Sequence, residues 1–113
     1  MSYVDVFLIP VPKSRLAEYE KTSALFATVW KDSGATDYVE YQGDDVPMGE
    51  TTSFPRAVQA KEDEVLFIGW ATYPSREVRD AVNAKMRSDP RMASMEMPFD
   101  GRRMIFGGFK SKG

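Results

Sequence analysis

A chain of 113 residues with 42% apolar and 28% charged side chains has the composition of one folded domain spanning 1–113, with no room for a second core. Fifteen Lys plus Arg against 17 Asp plus Glu leave no field to gather phosphates, which disfavours a basic nucleic-acid binder. The absence of cysteine and histidine removes disulfides, thiol nucleophiles, Ser-His-Asp and Cys-His mechanisms and imidazole ligation of zinc or haem; it fits a reducing cytoplasm and leaves chemistry to carboxylates, Lys, Arg, Tyr, Ser, Thr or the backbone.

The opening "YVDVFLIPVP", residues 3–12, reads as a strand with two apolar faces. Val4, Val6 and Leu8 lie on one side, and Tyr3, Phe7 and Ile9 on the other, so both sides must be covered. Asp5 is the exception, because it shares a face with Tyr3 and Phe7. Asp5, Pro10 and Pro12 also break the apolar run, so neither a signal peptide nor a membrane span is expected.

"KSRLAEYEKTSALFATVWKDSG" follows as a helix, with Leu16, Tyr19, Ser23, Phe26 and Trp30 on one stripe. Ser14 is the expected N-cap, and Gly34 suits the left-handed residue that closes a helix. Residues 36–42 alternate as a second strand, and 43–54 carry Gly, Pro and acids without a period, as a loop does. "PRAVQA" is short enough to be a turn of helix or an edge. "EVLFIGWATYP", residues 64–74, is almost wholly apolar and predicts a central strand buried on both faces. "SREVRDAVNAKMRSD" predicts a second amphipathic helix with Val78, Ala81, Val82 and Met86 inward and Arg76, Arg79, Asp80 and Arg87 mostly elsewhere. Asp89 before Pro90 predicts a capped short turn through Met95, and "RRMIFGGF" returns as the last strand after the "FDG" turn.

The order β-α-β-β-α-β predicts an α+β, ferredoxin-like fold: a four-stranded antiparallel sheet with two helices on one face and the first and third strands central. The other face would be bare in a monomer. At about 25 cal/mol per Å² of apolar area, several hundred Å² of such surface drives association, so a second copy is expected to cover it.

The run "DPRM…MPFDGRRMIFGGF" from Asp89 to Phe109, with "YPSREVRDAVNAKMRSD" and "YVDVFLIPVP", resembles the DUF1428 family of small bacterial proteins over nearly the whole chain. That family is similar in fold to the dimeric α/β-barrel superfamily, which includes cofactor-independent monooxygenases, muconolactone-isomerase-like enzymes and haem-dependent chlorite dismutases. The resemblance implies a homodimer whose sheets face one another, and it implies no activity. A haem held by imidazole fails for want of histidine, and no cofactor is expected.

Asp5 and Glu40 are the candidate catalytic carboxylates. Inside the sheet Asp5 must pair, hydrogen-bond or take up a proton, and it could serve as a general base; the structural alternative is a place near the strand end, satisfied by water or by Arg102 or Arg103 of the last strand. Glu40, with Tyr38 and Gln42 on its face, could converge on the same cleft or be the polar side of an edge strand. Trp70, Tyr73, Arg103 and Met104 are the candidate substrate-binding residues. The late methionines and Trp30 could line an apolar pocket, though core filling is their commoner use. Asp44, Asp45 and Glu50 lack the spacing of a calcium loop, so no metal site is expected. Gly107 and Gly108 mark a bulge or a close approach.

Two function classes remain open: a homodimer binding a small apolar or aromatic ligand, with or without catalysis, and a non-enzymatic protein-interaction module. RNA binding on the sheet has little support, since "RRMIFGGF" only faintly resembles the relevant signature and dimerisation would hide the face.

Overall fold

A computed structural model describes residues 2–113. Strand β1 (Tyr3–Pro12) leads through a single 3₁₀ turn into helix α1 (Leu16–Ser33). Strand β2 (Asp37–Gln42), a short helix α2 (Phe54–Ala57) and strand β3 (Glu64–Tyr73) follow. Helix α3 (Arg76–Arg87), a short helix α4 (Pro90–Ala93) and strand β4 (Ile105–Lys110) complete the chain. The antiparallel sheet has the order β2-β3-β1-β4, the ferredoxin-like arrangement. No helix among the described residues is long and apolar enough to cross a membrane.

β1 and β3 pair from Tyr3↔Tyr73 to Pro12↔Glu64, and β4 reaches only as far as Leu8 on β1. Pro10 and Pro12 therefore sit where one edge of β1 has no ladder, and a missing N–H costs least there. Gly34 closes α1 at φ +121°, as its sequence position suggests. The helix begins at Leu16 with Arg15 in the capping position and no side-chain cap, so Ser14 does not cap it; the 3₁₀ turn over 13–15 occupies that place. Ser75 caps α3 through the Val78 amide, and Asp89 caps α4 through the Arg91 amide.

The register divides the sheet into two faces. Phe7, Ile9, Val11, Phe67, Ala71 and Tyr73 point toward α1 and α3, where Tyr19, Phe26, Val29, Val82 and Met86 complete the main core. Gly69 leaves room in this layer, since a Cβ there would lie 2.7 Å from Phe7 Cε2 and 2.8 Å from Glu40 Cγ. The outer face carries Val4, Val6, Leu8, Val39, Ile68 and Trp70. One end of it is covered by the chain itself: Val46, Val58 and Ala60 pack on Leu8 and Leu66. Residues 43–60 thus do part of what a second copy was expected to do. The rest of the face is open, and Ile68, Trp70 and Thr72 on β3 are only half-buried, against the expectation of a strand closed on both sides. Phe54, Ile105 and Phe109 are exposed beside it, around a groove of about 550 Å³ between α2 and β4.

Arg103 clasps the covering segment. The last strand starts at Ile105, so Arg102 and Arg103 belong to the preceding turn and lie toward the Pro12–Glu64 end of the sheet, remote from Asp5. Arg103 makes a bidentate ion pair with Glu64 (2.6 and 2.8 Å), bonds the Gln59 carbonyl at 3.0 Å and meets Asp100 at 3.1 Å. Gln59 has φ +51°, a left-handed conformation that needs such an anchor. The Arg103 hydrogen bonds hold the Glu64 carboxyl below the usual glutamate range. A depressed carboxylate pKa gives stability that is full above the unfolded pKa and lost as pH falls through the folded value. Arg103→Met should cost about 3 kcal/mol near neutral pH, because Glu64, with a side chain only 2% exposed, loses its counter-charge and keeps only the Lys61 amide as a donor. The loss should shrink only as pH falls through the depressed folded value of Glu64, below the ordinary glutamate range. Urea melts in steps from pH 7 down to pH 2 check this, and a loss that never shrinks over that range would refute the clasp.

Candidate active site

Two networks rise from the inner face of the sheet. In the first, Asp5 on β1 accepts from Arg79 Nε at 3.0 Å and from the Tyr73 hydroxyl at 2.8 Å, and Tyr73 Oη accepts from Trp30 Nε1 at 2.8 Å. Arg79 reaches down from α3, with its Nη1 on Asp80 at 2.9 Å, its Nη2 near the Tyr3 hydroxyl at 3.3 Å and its guanidinium 5.0 Å from the Tyr3 ring centroid. Gly108 of β4 makes this approach possible, because a Cβ there would collide with Arg79 Nη2 and Tyr3 Oη. Burial pushes the Tyr73 phenol above its ordinary range and Asp5 adds to that, while the Trp30 N–H opposes it, so Tyr73 stays a donor to the carboxylate.

In the second network, Glu40 on β2 accepts from the hydroxyls of Tyr19 and Tyr38 and from Ser23 at 2.9 Å. Burial, reinforced by Glu40, raises both phenols well above their usual range and keeps them protonated. The two networks touch through aromatic rings: Tyr38 stacks on Trp30 at 5.0 Å, and Phe7 lies 5.8 Å from each.

Beside the first network lies a cavity of about 470 Å³. Asp5, Phe7 and Ile9 form its floor, Phe26 and Trp30 of α1 one wall, and Arg79 and Asn83 of α3 another. The segment between α4 and β4 supplies Met97, Phe99 and Met104, with Met92 and Phe106 at the margins. Asp5 is the only carboxylate in this lining. Its side chain is 14% exposed, and with one donor on each oxygen it keeps lone pairs for a further donor.

The sequence-based candidates separate accordingly. Asp5 and Met104 line the cavity, and Tyr73 lies beneath it as a support for Asp5. Glu40 shares the inner face but is occupied by three hydroxyls and does not line the cavity. Trp70 is on the opposite face, stacked on Tyr41 at 5.5 Å, because its register partner Val6 points outward. Arg103 is the clasp at the far end of the sheet. Neither touches this cavity. The partner of Asp5 is Arg79, not Arg102 or Arg103. Sequence reasoning missed Arg79 and Asn83; their spacing of four on α3, flanking the Val78–Val82–Met86 stripe, was the available signal. Asp44, Asp45 and Glu50 are exposed, and among the described residues no group of three or more acidic side chains could hold a metal ion.

The family model described as "Protein of unknown function (DUF1428)" matches residues 2–101. The curated relatives include "Uncharacterized protein YbaA" of Escherichia coli K12, and proteins of the same name in E. coli O157:H7 and Shigella flexneri. Each is 49% identical over 113 residues, covering 98% of this chain and 97% of the relative. A family model that spans strands β1 to β3, both long helices and most of the cavity lining, with near full-length relatives at this identity, makes the chain a member of the DUF1428 family.

Proposed function

We propose that this chain is a cytoplasmic homodimer that binds a small apolar or aromatic molecule in the cavity between sheet and helices, and that Asp5 is the hydrogen-bond acceptor, and the base in any proton abstraction there. The observation that carries the reading is the single carboxylate, fixed by Arg79 and Tyr73, on the floor of a cavity that is apolar apart from Arg79 and Asn83 beside it. Apolar walls with a few convergent polar groups are the common form of small-molecule sites, and about 470 Å³ lies within their usual range. Tyr73 and Met104 support and line the site, and Glu40 acts indirectly by anchoring Tyr38 against Trp30.

Dimerisation is supported by the open outer face, where Tyr41, Ile105 and Phe109 are exposed beside half-buried Val6 and Trp70. The same surface supports a second reading, an interaction module for another protein. Sedimentation at micromolar concentration separates them: twice 12.8 kDa supports the homodimer, and a stable monomer refutes it.

A fragment library assayed by thermal shift tests the cavity. A ligand at one hundred times its Kd should add about 2.7 kcal/mol of stability. Met104→Trp, which fills the cavity, should abolish the gain without unfolding the chain. A blank screen, or hits indifferent to that substitution, would refute the site.

A further inference from the structure

We infer that the cavity selects an uncharged molecule with a hydroxyl head on a flat apolar body and discriminates against a carboxylate of the same shape; this rests on the ligand-binding reading above. The polar lining side chains are gathered at Asp5, Arg79 and Asn83. Arg79 and Asn83 are four residues apart on α3 and share one side of it.

Arg79 is the cation that an acid would seek, but three of its N–H groups, one on each nitrogen, are already engaged. Its single Nε–H goes to Asp5, Nη1 donates to Asp80, and Nη2 meets Tyr3. The Nε edge is closed to bidentate grasp of a carboxylate. Two carboxylates already face this guanidinium; Asp80 also meets Arg76 at 3.8 Å outside the cavity, whereas Asp5 lies in the lining itself and repels a further anion there.

A hydroxyl fits where an anion does not. Asp5 keeps lone pairs that can accept its proton. The Asn83 amide is half-buried and makes no side-chain hydrogen bond among the described residues, so its NH₂ is available to donate to the hydroxyl oxygen. Phe7 and Trp30, stacked 5.8 Å apart, give the body a flat wall, and the methionines of the opposite segment adapt to its outline. A site with buried groups awaiting a hydroxyl rejects the analogue lacking one far more strongly than it rejects a missing methylene.

The test is calorimetric titration at pH 7 with 2-naphthol, 2-methoxynaphthalene and 2-naphthoate, which share a ring system and differ in head. Naphthol should bind at least about tenfold tighter than either of the others, a difference of about 1.4 kcal/mol. Asn83→Leu should weaken naphthol and its methyl ether alike, because both oxygens can accept from the amide, and should leave the gap between them, which Asp5 sets by accepting the hydroxyl proton. Naphthoate binding as tightly as naphthol, or an ether indistinguishable from it, overturns the head-group assignment and leaves the cavity standing. Failure of all three also overturns the assignment, and a blank fragment screen alongside would remove the cavity reading as well.

Discussion

Arg79→Met should lower the melting temperature by about 12 °C, from a loss of about 3 kcal/mol at roughly 4 °C per kcal/mol for a domain of this size. The cause is not the lost attraction alone. Asp5 is 14% exposed, and without the guanidinium its carboxylate is left in a partly apolar setting with Tyr73 as its one remaining side-chain donor. Breaking a buried pair costs more than removing both members, so Asp5→Leu in the Arg79→Met background should recover most of the loss. Four chemical melts close the cycle. Additive losses in the double variant would mean that the two side chains stabilise the fold independently and that Arg79 does not hold Asp5.

The second large effect concerns association. Phe109 is 60% exposed and stands opposite Val4 on the outer face. In the proposed two-fold dimer each substitution appears twice. If Phe109→Glu removes about 2 kcal/mol per copy of apolar burial, the dimer weakens by about 4 kcal/mol, or roughly a thousandfold in Kd. The variant should sediment as a folded monomer at concentrations where the parent is dimeric, with its circular dichroism unchanged. A dimer of undiminished strength would move the interface off this sheet face. The outer groove beside α2 would then have to serve another partner.

The alternation of Val4, Val6 and Leu8 against Tyr3, Phe7 and Ile9 was enough to show a strand apolar on both faces, and the β-α-β-β-α-β order was legible because each amphipathic run kept its own period. What covers the outer face was only half legible. Residues 43–60 have no periodicity, and nothing local reveals that Val46 and Val58 fold back on Leu8 and Leu66. The face occupied by Asp5 could be read from alternation, but its partner could not. Arg79 lies beside the apolar stripe of α3, and only the length of its side chain brings it to the sheet. Arg103 misled because "RRMIFGGF" looks like one strand, whereas Asp100 turns the chain by accepting from the Arg102 amide and delays pairing until Ile105. Trp70 misled for a different reason. A wholly apolar strand gives no clue to which of its faces meets the helices, and that was settled by register with β1.

The two indoles of the molecule stand on opposite sides of one sheet. Trp30 borders the inner cavity, and Trp70 lies on the outer surface against Tyr41. Each is a separate optical reporter: emission from a Trp70→Phe protein would follow cavity occupancy, and emission from a Trp30→Phe protein would follow subunit docking. A single fluorimeter titration on the two variants can therefore establish whether filling the interior and pairing of the sheets are linked events.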